Sequence, residues 1–318
     1  MANEPSAAPP ACRSRSKVSR GGALTVALAL TSAACGGGYQ APALELAVDE
    51  AALHSDNGLS SNGLSTNGLS TNGLSTNGLS TNGLSTSAFT TWFASSPVLN
   101  WMLMKYMVRC ALPSGASLSY TYSGVSSTWA GELGLAPSWG SGGAFPVAEQ
   151  ELVSACLAAH ANKFLLPVNI SVRGYFTDGS AIPVSSSEQA AFPNEEGCFF
   201  GNLFNGAGVF SAYSVNSPMV QAGKTSLRAC AADGGRLGDC APMSATGASC
   251  QSLCSRASGS SNFAFTSCSW NGVSYRPIST RLANADIATC GDGVCQASET
   301  CYDKSAKTGC QADCGKCK

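Results

Sequence analysis

Histidine is nearly missing from this chain: 318 residues contain two, His54 and His160. There is no His-Glu-x-x-His and no Gly-x-Ser-x-Gly elbow, so neither a zinc protease nor an elbow-type serine hydrolase is specified. Charge is sparse as well. Asp, Glu, Lys and Arg make up 12% of the residues, with 18 basic against 19 acidic. No basic patch stands out, and nucleic acid is excluded as an expected partner. No apolar run reaches the roughly 20 residues that a membrane-crossing helix needs.

What is present first is an export signal. Arg13, Arg15, Lys17 and Arg20 precede residues 21–35, which read Gly-Gly-Ala-Leu-Thr-Val-Ala-Leu-Ala-Leu-Thr-Ser-Ala-Ala-Cys. A basic segment, a short apolar segment and small residues before a cut site predict a secretory signal peptide over 1–34. Ser32-Ala33-Ala34-Cys35 resembles a bacterial lipobox, with Ser32 where that motif usually has Leu. The resemblance implies lipid attachment at Cys35, a membrane anchor, and a place at the outer membrane or cell surface. Removing the signal removes four of 18 basic and one of 19 acidic residues, leaving 14 − 18 = −4.

Cysteine is the strongest compositional signal, with 16 in the chain. Cys12 lies in the signal and Cys35 is the proposed lipid site. Eight occupy the middle: Cys110, Cys156, Cys198, Cys230, Cys240, Cys250, Cys254 and Cys268. Six close the chain: Cys290, Cys295, Cys301, Cys310, Cys314 and Cys317. Even sets in an exported chain read as disulfides. Zinc is the rival reading of Cys250-x-x-x-Cys254 and Cys314-x-x-Cys317, but thiols outside the cell tend to pair. No metal site and no cofactor is therefore expected.

Residues 35–56 read as a lipid-anchored linker, with His54 as a solvated loop histidine. Residues 57–86 then repeat with a period of five: Asn57-Gly58-Leu59-Ser60-Ser61, followed by five copies of Asn-Gly-Leu-Ser-Thr. Two readings compete. Gly, Ser and Asn resist ordering and suit a flexible tether. The period also resembles a pentapeptide-repeat solenoid, with Leu inward. Thirty residues make too few coils to bury a core, which favours the tether, although leucines so regularly spaced suggest weak docking.

Residues 87–289 read as an α+β domain, helices early and strands late. Ser96-Pro97 predicts a helix start, and Leu99, Met102, Leu103, Tyr106 and Cys110 form one apolar stripe ending near Leu112-Pro113. A second helix from Pro146 carries Glu149 and Glu151 near its positive end. Its stripe holds Val153, Cys156, Leu157, His160 and Phe164. Both stripes contain a cysteine, so two packed helices would join Cys110 to Cys156. Residues 118–122 and Val168, Ile170 and Val172 alternate as strands do. Asp178-Gly179 predicts a hairpin toward 181–184, and Asn271-Gly272 predicts another with a type I′ turn.

Residues 290–318 cannot build an apolar core and need staples. Cys290-Gly-Asp-Gly-Val-Cys295, Glu299-Thr-Cys301 and Asp313-Cys314-Gly resemble a cysteine-rich module at the ends of many exported bacterial proteins. The whole order, from signal through Asn-Gly-Leu-Ser-Thr repeats and domain to this tail, resembles uncharacterised bacterial surface lipoproteins. That resemblance brings no activity with it.

Chemistry is thinly marked. Gly223-Lys224-Thr225 ends like a phosphate loop, but the position of the first glycine is Pro218. A Cys-His hydrolase would pair His160 with Cys156 or Cys198, yet a free thiol would break the even count. His160 on an apolar stripe reads as structural. Glu195-Glu196 reads as part of a solvated loop, and no catalytic residue is assigned. Asp292, Glu299, Asp303 and Asp313 offer oxygen ligands for calcium, without EF-hand spacing. The expected function is a non-catalytic binding or structural role at the cell surface, toward a protein or glycan ligand. A secreted hydrolase of polysaccharide or peptide is the alternative.

Overall fold

The computed structural model describes residues 54–57, 78–161, 168–220, 224–226, 243–258, 263–295, 299 and 310–316. All lie within the unit Glu50–Lys318. The signal, Cys35, most of the repeats, Phe164, Cys230, Cys240, Cys301, Asp303 and Cys317 lie outside the described residues.

Strand β1 (His54–Asn57) comes first, then helices α1 (Thr81–Leu84), α2 (Ser87–Ser95) and α3 (Pro97–Ala111). Strands β2 (Ser117–Tyr122) and β3 (Val125–Ala130) form a hairpin. A single turn, α4 (Pro137–Gly140), leads to α5 (Val147–His160). Strand β4 (Val168–Gly174), helix α6 (Ser186–Ala191), and strands β5 (Asn194–Asn202) and β6 (Gly208–Tyr213) follow. Next come β7 (Lys224–Ser226), β8 (Met243–Ser249), α7 (Cys250–Leu253) and β9 (Cys254–Ser255). Strands β10 (Ser267–Trp270), β11 (Val273–Tyr275), β12 (Ile278–Leu282) and β13 (Ile287–Thr289) precede α8 (Gln311–Cys314).

The architecture is mixed α+β. A six-stranded sheet has the order β1-β4-β12-β5-β6-β8, antiparallel except for the parallel β6–β8 pair. Helix α5 packs on one face of this sheet, and α3 packs on α5. Residues 152–160 of α5 are therefore buried on every side rather than along one stripe. The expected stripe of α3 is also displaced. Asn100, Leu103, Met104, Met107, Cys110 and Ala111 are buried, while Leu99 and Met102 are only partly so. The Asn100 side chain donates to the Trp92 carbonyl at 2.8 Å, turning that side of α3 onto α2.

Cys110 and Cys156 are joined, with Cα atoms 6.1 Å apart, as the two stripes predict. The Asn271-Gly272 hairpin forms, with φ of 50° and 79° at the turn. Asp178-Gly179 turns the chain, but only a single bridge, Tyr175 to Ala181, follows it. Both edges of β4 are already taken, by β1 and β12. His54 lies in β1, opposite Ser171, rather than in a loop.

Residues 78–86 depart from the expected tether. Leu79 and Leu84 are 1% and 2% exposed and belong to the main core. The Leu79 amide donates to the Trp139 carbonyl at 2.9 Å, and Ser80 caps α1 through its hydroxyl. Gly78 has φ of 75°, and a Cβ there would sit 2.4 Å from Gly142 Cα. Trp139 itself is fixed by stacking on Phe145, with centroids 3.9 Å apart. Gly78→Ala is thus expected to cost about 1–3 kcal/mol by overpacking and a disfavoured φ. Urea midpoints of the two proteins check this; an unchanged midpoint would show that the seat is not part of the fold.

Candidate functional site

The second face of the six-stranded sheet is built from alternate residues. On β4, Ile170 and Val172 face the core, so Ser171 and Arg173 face the other way. Helix α6 brings Glu188 to them, the Glu188 amide donating to the Ser185 hydroxyl at 3.1 Å. Arg173 Nη1 donates to Glu188 Oε1 at 2.9 Å, and both bond to the Ser171 hydroxyl. The pair is almost fully buried. Arg173 Nη2 and Glu188 Oε2 have no hydrogen-bond partner among the described residues. Burial lowers the proton affinity of Arg173, and Glu188 opposes that.

Further along the same face, Phe200, Phe263, Phe265 and Tyr275 form a second apolar cluster around two disulfides. These are Cys198–Cys250 and Cys254–Cys268, with Cys198 Sγ and Cys254 Sγ 3.6 Å apart. Cys198–Cys250 ties β5 of the large sheet to α7, which leads into β9, and Cys254–Cys268 ties β9 to β10 within the small sheet β11-β10-β9. Beside it opens a cleft of about 450 Å³, lined by Glu151, Tyr175, Ser267, Ser274, Tyr275 and Arg276 among others.

The cleft residues come from four places. Glu151 lies in the first turns of α5, Tyr175 and Gly179 follow β4, and the rest belong to the β10–β11 hairpin and its flanks, except Ala257 just after β9. Tyr275 is nearly buried against Phe200 and Phe210, which fixes that wall. Tyr175, Arg276 and Glu151 are half-buried, and Ser274 is exposed. Glu151 accepts a hydrogen bond from the Arg276 amide at 3.1 Å. Burial pushes its carboxyl above the usual range, and the Arg276 amide and guanidinium pull it part of the way back. It is the only carboxylate among the described lining residues. Nearby Asp178 is turned onto the Ser180 amide and hydroxyl, at 2.8 and 2.6 Å.

A raised carboxyl means that the folded state binds the proton more tightly than the unfolded chain. The associated stability is present below the unfolded value and is lost as pH rises through the folded one. Glu151→Gln is therefore expected to gain stability relative to the parent between pH 4 and pH 7, read from urea midpoints at the two values. A gain that shrinks over that interval would contradict this.

The residues singled out from sequence fall as follows. His160 is fully buried, and its Nδ1 donates to the Cys156 carbonyl at 2.8 Å, which fixes the proton on that nitrogen. Its ring faces Tyr106 of α3, with centroids 5.3 Å apart, and it reaches no cleft. The two thiols that a Cys-His pair would need, Cys156 and Cys198, are both in disulfides. Glu195 and Glu196 do not sit in a solvated loop: both lie on β5, beside a bulge against β12. Glu196 is fully buried and accepts from the Thr280 hydroxyl at 2.6 Å. Glu195 pairs with Arg281 and accepts from Ser214 at 2.5 Å. Lys224 and Thr225 lie in strand β7, paired with β13, and shape no phosphate loop.

The C-terminal region is stapled by Cys290–Cys310 and Cys295–Cys314. Asp313 spends its carboxylate on the amides of Gly291 and Gly293, at 2.6 and 2.9 Å, and Asp292 accepts from Val294. These acids close tight loops instead of converging on one point. Three groups do gather ligand-type atoms: Cys110, Cys156 and His160; Cys198, Cys254 and Cys268; Cys290, Cys310 and Asp313. Every sulfur in them belongs to a disulfide, so none is a thiolate ligand. Of the two zinc-like spacings, Cys250 and Cys254 sit in different bridges and Cys314 pairs with Cys295.

Sequence reasoning did not assemble the cleft. Glu151 was visible only as a helix-start charge and Tyr275 only as a hairpin residue. No local pattern links them, because 124 positions separate Glu151 from Tyr275. The GLTT repeat family matches residues 58–85 in six copies. No curated protein and no solved structure gives a match to the chain.

Proposed function

We propose that the chain is an exported, lipid-anchored surface protein whose disulfide-stapled domain binds a glycan without cleaving it. The observation that carries this reading is the open cleft. It is lined by one aromatic residue that is half-buried, Tyr175, by Ser267 and Ser274, by Arg276 and by one acid, Glu151. Sugars are recognised by that combination: an aromatic face for the ring and convergent polar groups for the hydroxyls. Hydrolysis of a glycosidic bond generally needs a second carboxylate at a set distance from the first. The disulfides fit an oxidising compartment. Acylation of Cys35 supplies the anchor, at about 0.8 kcal/mol per buried CH₂.

Two experiments test the reading. Cys35→Ser is expected to move the protein from the membrane fraction to the soluble one. If the variant stays membrane-bound, and no acyl mass is found at the N-terminus of the parent, the anchor is wrong. A panel of labelled oligosaccharides should yield a ligand whose binding is lost in Tyr175→Ala and kept in Tyr120→Ala. Equal loss in both, or retention in Tyr175→Ala, would remove the cleft from the proposal.

A further inference from the structure

The seat that holds residues 78–84 is a built receptor for the repeat sequence. It has three features that read the unit. Gly142 leaves room only for a glycine at the position of Gly78. The Trp139 carbonyl accepts the next amide, that of Leu79. The core takes the leucines of two successive copies, Leu79 and Leu84. A groove of about 460 Å³ continues from it, bordered by Leu112, Leu118, Ala136 and Gly140 among others.

The copies at 62–66, 67–71 and 72–76 carry the same five residues as the copies 77–81 and 82–86, whose residues 78–86 are seated. Nothing in the seat can tell them apart. One domain seats two copies, and the chain has six. We propose that the seat also takes two successive Asn-Gly-Leu-Ser-Thr units from a second copy of the chain, in place of its own, and so links neighbouring molecules head to tail. An incoming unit is held by the same groups as the unit it displaces, so concentration decides the exchange. A segment on the same chain competes at an effective concentration of order mM. Exchange therefore belongs to chains crowded to that level, as on one membrane face, a setting that rests on the anchorage proposed above. The seat itself can be tested in solution without an anchor.

The probe is a synthetic peptide of four Asn-Gly-Leu-Ser-Thr units, with a fluorophore and photo-reactive leucine, added to the full chain. Its control has every Gly replaced by Val. The expected result is an anisotropy rise in the mM range with the Gly peptide only, and crosslinks at Leu112, Leu118 or Trp139. In the full chain L59S/L64S/L69S/L74S/L79S/L84S the internal competitor is gone, and the peptide should bind at least about ten-fold tighter. If that variant does not fold, the parent titration decides alone. Mixed isotopically heavy and light full chains grown on photo-leucine, concentrated to about 1 mM, should give heavy–light crosslinks between repeat and seat. No binding up to about 10 mM, equal binding of the Val peptide, crosslinks away from the seat, or crosslinks only within one isotope would each overturn the proposal.

Discussion

Glu188→Ala is expected to destabilise the domain by about 3–5 kcal/mol, the usual consequence of leaving a buried charge without its partner. Arg173 and Glu188 are 2% and 1% exposed. With the carboxylate gone, the guanidinium keeps one hydroxyl and one carbonyl, at Ser171 and Val172, and no counter-charge. Water has little room to reach it, because both side chains are buried. The complementary double variant Arg173→Met/Glu188→Met removes both charges and keeps the volume. It should fall within about 1–2 kcal/mol of the parent or above it, since ion pairs this deep return little more than their desolvation costs. Chemical unfolding of the parent and these variants gives the comparison. A loss under about 1 kcal/mol for Glu188→Ala, the size seen for an exposed pair, would mean that the pair is solvated.

Removing the bridge between α3 and α5 should have an effect of similar size. The Cys110–Cys156 link closes a sequence separation of 46 residues. The chain-entropy estimate for a loop of that length is about 4 kcal/mol. Cys110→Ala/Cys156→Ala is expected to lose about that much, equivalent to a melting point lower by roughly 8–16 °C for a domain of this size. Both sulfurs are fully buried between the helices, next to His160, so the loss also includes packing. Calorimetry in the absence of reductant measures it. Equal melting of parent and variant would show that the helix pair is held by apolar contact alone.

The helices and this bridge were legible because their signals are local. Ser96-Pro97 opens α3, the residues before Leu112-Pro113 end it, and cysteines at matching places on two stripes meet. Asn271-Gly272 was legible for the same reason: the turn needs two positive-φ residues and that dipeptide supplies them. The β2–β3 turn uses Ser123-Gly124, with φ of 49° and 80°, and serine gives no such signal, so β3 went unseen. Sheet order was not legible. Strand β12 pairs with β4 and β5 from over 75 positions away, and β1 closes the edge from the other side. Glu196 looked solvated because a carboxylate's burial is decided by a partner far along the chain, here Thr280. Glu188 gave no signal for the same reason, since its partner Arg173 lies on another element. The repeat misled for a different reason. Its composition resists ordering by itself, and only the Gly142–Trp139 seat, more than 50 positions downstream, supplies the contacts that order its last two copies.

We propose above that the cleft binds a glycan and does not cut it. The most direct test of that proposal is to follow the ligand itself: proton NMR of a bound oligosaccharide, with the full chain present at stoichiometric amount, over a day. Binding at the cleft predicts broadened sugar signals that sharpen on Tyr175→Ala, with no new reducing-end anomeric signal in either sample. The appearance of reducing ends with the parent, and their disappearance with Glu151→Gln, would contradict the claim and make the protein a hydrolase.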